Sequence, residues 1–147
     1  MPTRSAQAKW TGALKNGTGT MRFGSGAFEG KYSFNSRMEN GTGTNPEELI
    51  GAAEAGCFSM AFANALSEAG HQPQEIATSA SVQFEKTEGG WTITKIELKT
   101  EGIVPGIDEA TFMRIGNDAK KGCPVSKALT GTEIVLDAKL KTGAEVR

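Results

Sequence analysis

The segment from Asn45 to Gly70, NPEELIGAAEAGCFSMAFANALSEAG, constrains the fold more than any other part of the chain. Asn45 is placed to cap a helix, Pro46 suits the first helical position, and Glu48 stands three residues after the cap. Gly70 is a natural stop, because a residue without Cβ accepts the left-handed backbone at which helices end. The pattern predicts a helix from about Pro46 to Ala69, ~36 Å long. Between Leu49 and Leu66 only Glu54 and Asn64 are strongly polar, and they build no wet face. A helix apolar on most sides is buried in protein or set in a membrane. The small residues, the interior Glu54 and the strand-like flanks favour burial between layers, so no membrane is expected.

A compact chain of 147 residues has a radius of gyration of roughly 15 Å, so such a helix would span the whole body. The sheets of one subunit can hardly cover all its sides. A symmetric homodimer that packs two such helices between two sheets would cover them.

The flanks read as strands. Ala6, Ala8, Trp10, Gly12 and Leu14 alternate with more polar neighbours, as in a half-buried strand. Glycines at 17, 19, 24 and 26 punctuate a second strand, and Lys31–Asn35 reads as a third. After the helix, Ile76, Thr78, Ala80, Val82 and Phe84 share one face, Gly89-Gly90 makes a turn, and a further strand runs from Trp91 to about Ile103. That strand changes phase between Ile93 and Ile96, which predicts a bulge near Thr94 or burial of both faces. Asp108 can cap a second helix from about Glu109 to Lys121, before Gly122. Ile134, Leu136, Ala138 and Leu140 make a last strand. The order βββ-α-ββ-α-β is an α+β arrangement, and the absence of linkers or repeats predicts a single domain over 1–147.

Composition narrows the function. Lys plus Arg number 16 and Asp plus Glu 17, so there is no basic footprint for nucleic acid. The opening MPTRSAQAKW lacks the apolar run of a secretory signal, which implies the reducing cytoplasm. Two cysteines there are buried thiols or redox residues; neither has a close Cys or His partner, and the one histidine is His71, so no metal or other cofactor is expected. Ser59 and Ser126 have no base at a hydrolase spacing.

Cys57 lies mid-helix, beyond reach of the helix dipole, and apolar surroundings would leave it inert. Activation would need a cation from elsewhere, with Arg22, Arg37 and Arg114 as candidates. Cys123, in KKGCPVS at a helix end, reads as an accessible loop thiol beside Lys120 and Lys121.

The segments SFNSRMENGTGTNPEELIGAAEAGCFSMAFANAL, ITKIELKTEGIVPGID and AKKGCPVSKAL resemble the OsmC/Ohr family. That family is named for osmotically inducible protein C and organic hydroperoxide resistance protein. The likeness runs from about Ala8 to Leu140, and SFNSR with VPGID favours the OsmC branch. The resemblance implies an intertwined homodimer and a peroxidase that reduces organic hydroperoxides to alcohols. It implies that Cys57 is the peroxidatic thiol, Cys123 the resolving one, Arg37 the stabiliser of the thiolate and Glu47 the residue that orients Arg37. It also implies an external dithiol reductant, such as a dihydrolipoyl protein.

Glu47 and Cys57 are ten residues apart on one helix, roughly 15 Å. If Arg37 serves both, they must come from different chains whose helices cross antiparallel. Met21, Phe23, Phe28, Phe58 and Met60 are candidates to line an apolar pocket, though core packing is the alternative for most. Glu54, at i−3 from Cys57, would oppose a thiolate unless a cation neutralises it or it points to solvent. The rival readings are a non-catalytic lipid- or small-molecule-binding protein on the same fold and a purely structural stress protein.

Overall fold

The computed structural model describes residues 1–141; the last six positions of the expected 1–147 domain lie outside the described residues. The chain divides into two compact units, Met1–Leu49 and Ile50–Arg147.

In the first unit β1 (Ala6–Thr11), β2 (Thr18–Phe23) and β3 (Glu29–Tyr32) form an antiparallel sheet in that order. β1 stops short of Leu14 because the chain turns there, with Trp10 Nε1 donating to the Ala13 carbonyl at 3.3 Å. Its side chains are mostly exposed rather than half-buried. The third strand ends earlier than the expected Lys31–Asn35, because Ser33 starts a helix, α1 (Phe34–Met38). The Ser36 N–H donates to Ser33 Oγ at 3.1 Å and the Ser33 N–H donates to Ser36 Oγ at 2.8 Å. This reciprocal cap satisfies two backbone donors that a strand ending would have left to water.

The long helix is α2 (Pro46–Glu68). Asn45 caps it, Oδ1 accepting the Glu48 N–H at 2.7 Å, but the Glu48 carboxylate accepts from Thr44 Oγ1 instead of reaching back to the cap. At the far end Gly70 takes φ +90° and the His71 N–H closes on the Leu66 carbonyl at 2.9 Å. By length and composition α2 could cross a membrane. Here Gly51, Glu54, Phe58, Phe62 and Leu66 form one buried stripe, while Ala52, Ala53, Gly56, Met60 and Asn64 are exposed. The helix expected to be mostly buried is thus buried along one face of the single chain, since it has more apolar surface than one face can hide.

The second unit's sheet pairs β4 (Glu75–Thr87) antiparallel with β5 (Gly90–Ile103), and β5 parallel with β6 (Glu133–Lys141). Gln83 faces Lys95 and Phe84 faces Ile93, leaving Thr94 unpaired as the bulge residue. The bulge accounts for the phase change along β5. α3 (Glu109–Gly122) is capped by Asp108, which accepts the Thr111 N–H at 3.0 Å and the Thr111 hydroxyl at 2.7 Å. It buries Phe112, Ile115, Gly116 and Ala119. A short helix, α4 (Pro124–Ala128), follows. The core joins Phe58, Phe62 and Leu66 of α2 to Ile96 and Leu98 of β5 and to Phe112 and Ile115 of α3. Phe112 lies so close to Gly102 that a Cβ there would sit 2.6 Å from its ring, which explains a glycine inside a buried strand. The α+β order matches the expected one with α1 and α4 added.

Candidate active site

The second unit brings the two thiols together. Cys57 sits on α2, half-buried, one turn beyond Glu54 and beside the buried Phe58. Cys123 is fully buried rather than an accessible loop thiol. It ends α3, donating its N–H to the Ala119 carbonyl at 2.9 Å, and it caps α4, accepting from the Lys127 N–H at 3.0 Å. This double role places its side chain under the turn, where Cys123 Sγ donates to Cys57 Sγ at 2.7 Å. Both cysteines are free thiols.

The environment of Cys57 does not favour a thiolate. Burial pushes its thiol up, and the hydrogen bond from Cys123 and the charges of Cys123 and Glu54 push the same way. The backbone N–H of Val125, in the first turn of α4, donates to the sulfur and pulls in the opposite direction. Glu54 does not point to solvent, and among the described residues it meets no cation. It is fully buried, and Oε1 accepts a hydrogen bond from the Ser126 hydroxyl. The Ser126 hydroxyl, in the first turn of α4, satisfies this oxygen.

The first unit brings together the other two expected residues. Arg37, in the last turn of α1, forks onto Glu47 at the start of α2. Its Nε donates at 3.0 Å to Oε1 and 3.2 Å to Oε2, and Nη2 donates to Oε1 at 2.6 Å. The Glu47 side chain is 9% exposed, whereas the Arg37 side chain is 38% exposed. Beside Arg37 lies a mostly apolar hollow of about 250 Å³, lined by Trp10, Leu14, Tyr32, Phe34 and Met38. Of the side chains expected to line a pocket, Met60 borders a separate hollow with Ser59, Ala63 and Ile76, and none borders this one. Phe58 is in the core, Phe23 packs on Phe28 at 5.0 Å, and Met60 is 77% exposed. The missed residues, Val125 and Ser126, had one sequence signal: Pro124 immediately after Gly122-Cys123 suits the first position of a new helix.

An α+β chain that sets a half-exposed thiol on a long helix against a buried second thiol is built for dithiol redox chemistry. The model of the family described as OsmC-like protein matches residues 39–139, and the chain belongs to that family. Peroxiredoxin OsmC of Escherichia coli (strain K12) is 51% identical over 140 residues, covering 95% of this chain and 97% of the relative. The organic hydroperoxide resistance protein of Xanthomonas axonopodis pv. citri (strain 306) is 37% identical over 92 residues, 62% of this chain and 63% of that one. In fold, the chain matches the crystal structure of an organic hydroperoxide resistance protein OsmC from Legionella pneumophila. The TM-score is 0.71 over 92% of this chain and 96% of the other, at 21% identity.

Proposed function

We propose that this chain is a cysteine-based peroxidase that reduces organic hydroperoxides to alcohols, acting in the cytoplasm as a homodimer built from one OsmC-like domain per chain. The observation that carries this reading is the 2.7 Å contact between a half-exposed Cys57 sulfur and a buried Cys123 sulfur. The Cys57 thiolate attacks the distal oxygen of the hydroperoxide: an S–O bond forms, the O–O bond breaks, and the alkoxide leaves as the alcohol after taking a proton. Cys57 becomes a sulfenic acid, which condenses with Cys123 to give a disulfide and water. An external dithiol, for which a dihydrolipoyl protein has the right chemistry, restores both thiols by exchange.

Since burial pushes the Cys57 thiol up, catalysis needs a cation. Glu47 and Cys57 are ten residues apart on α2, roughly 15 Å, so an Arg37 forked onto Glu47 cannot also reach Cys57 of its own helix. Arg37 and Glu47 of one protomer therefore serve Cys57 of its partner. The exposed Ala52, Ala53, Gly56 and Met60 supply an apolar helix face for that dimer. The apolar hollow beside Arg37 favours alkyl over hydrogen peroxide substrates.

Titrating thiols before and after one equivalent of cumene hydroperoxide tests the reading. A peroxidase loses both thiols together; a protein that retains both is a binder or a structural protein, and the proposal fails.

A further inference from the structure

We propose that Glu54 and Ser126 form a latch, a hydrogen bond between the two helices carrying the thiols, that holds Cys123 against Cys57 for disulfide formation. This role rests on the dithiol peroxidase reading above and concerns its second step. Glu54 stands three residues before Cys57 on α2, and Ser126 stands three residues after Cys123 on α4. Cys57 meets Cys123, and Glu54 meets Ser126, so two facing turns are joined at both ends.

α4 needs such a tie. A five-residue helix has no stability of its own, and Cys123 gives it no side-chain cap hydrogen bond. Among the described residues, no other side chain of Pro124–Ala128 hydrogen-bonds to another element. Glu54 is an expensive residue to place there. It is fully buried, and its Oε2 has no hydrogen-bond partner among the described residues. If packing were its role, an apolar side chain would fill the space at lower cost. Accepting the Ser126 hydroxyl is what the carboxylate does that an apolar side chain cannot.

The step it serves balances without an outside reagent. The Cys123 sulfur attacks the sulfenic sulfur of Cys57, an S–S bond forms and the S–O bond breaks. The Cys57 sulfur is reduced, the Cys123 sulfur is oxidised, and the departing hydroxide takes the Cys123 proton and leaves as water. The competing fate is attack by the sulfenic sulfur on a second hydroperoxide, which forms another S–O bond, releases a second alcohol and carries Cys57 on to the sulfinic acid. How steadily Cys123 is seated decides between them.

Positioning makes a specific demand on the variants, compared as folded proteins of the wild-type oligomeric state. Ser126→Ala and Glu54→Ala should slow disulfide closure roughly tenfold, the scale of one buried hydrogen bond. Under excess cumene hydroperoxide they should shift product from disulfide towards Cys57 sulfinic acid, counted by mass spectrometry. Glu54→Gln should keep the wild-type ratio, because its amide oxygen accepts the same hydrogen bond. A wild-type ratio in Ser126→Ala overturns the latch. So does a Glu54→Gln variant as impaired as Glu54→Ala, since the carboxylate would then act through its charge or proton. Closure driven by diamide, without peroxide, gives a second reading: the same order of variants is expected, and equal rates in all four proteins overturn the latch. If the wild type ignores cumene hydroperoxide, the peroxidase reading fails while the diamide series still decides the latch.

Discussion

Arg37 grips Glu47 through two nitrogens, Nε spanning both carboxylate oxygens at 3.0 and 3.2 Å and Nη2 reaching one of them at 2.6 Å. A guanidinium held in this fork is fixed in direction as well as in charge, which a lysine cannot be. The buried Glu47 is the anchor and the part-exposed Arg37 carries the charge outward.

Replacing that charge should show in the first chemical step. Arg37→Ala should slow peroxide-driven oxidation of Cys57 by roughly 100-fold, near 3 kcal/mol, if the guanidinium stabilises the thiolate and the departing alkoxide as proposed. Arg37→Lys should recover part of the rate, and Glu47→Gln should lose less than Arg37→Ala. The measurement is sulfenic-acid or disulfide formation at fixed peroxide in dimeric protein. Wild-type rates in Arg37→Ala would mean that Arg22, Arg114 or another group activates Cys57.

The exposed stripe on α2 makes a separate demand. Met60 is 77% exposed in the single chain, between Gly56 and Asn64 on the same face. Met60→Glu would place a carboxylate in the proposed dimer interface. Desolvating it should weaken association by ~3 kcal/mol, more than 100-fold in dissociation constant. Sedimentation equilibrium should find a wild-type dimer at micromolar concentration and a largely monomeric variant. A variant that stays dimeric would place the interface elsewhere.

Where the sequence carried local signals, the fold followed them. Asn45 and Gly70 marked both ends of α2, Asp108 marked the start of α3, and the phase change between Ile93 and Ile96 located the bulge at Thr94. The misses share a cause: short helices are fixed by tertiary packing more than by pattern. Phe34–Met38 and Pro124–Ala128 are too short to show a period of 3.6, so the pattern extends a strand through Lys31–Asn35 and leaves CPVSK as loop. That second miss hid the burial of Cys123 and the partner of Glu54. The contact between the thiols was legible through family resemblance alone, since nothing local relates positions 57 and 123.

Core packing gives a stability test independent of function. Phe112 is fully buried, tilts against Phe62 at 4.9 Å between centroids, and rests on the bare backbone of Gly102. Phe112→Ala should cost about 3–5 kcal/mol, since the lost ring leaves a cavity that α2 and β5 cannot close. Gly102→Ala should also destabilise, because its new methyl meets the ring that Phe112→Ala removes. In the double variant the two costs should sum to less than their separate values. Urea denaturation of the four proteins measures this; strict additivity would mean that the ring does not depend on the glycine.

The pH dependence of Cys57 separates what one chain does to this thiol from what the proposed arginine of a second protomer would do. Burial, the hydrogen bond from Cys123 and the nearby Glu54 together hold the Cys57 thiol above its ordinary value of 9.0, against the opposing Val125 N–H. A raised thiol is mostly protonated at neutral pH, so in Arg37→Ala the alkylation rate with iodoacetamide should still be climbing as pH passes 9.0. A guanidinium beside the sulfur favours the thiolate, so the wild-type rate should level off at a lower pH than the variant's. Stability carries the same sign. With the folded-state value raised above the unfolded one, the protonated Cys57 contributes stability to Arg37→Ala that is fully present below the unfolded value. That contribution is lost as pH rises through the folded value. Cys57→Ser removes the titration altogether and should flatten both curves in that range. Superimposable alkylation profiles for wild type and Arg37→Ala would show that Arg37 does not reach the thiolate in either protomer, and the cross-chain assignment of the activating cation would fall.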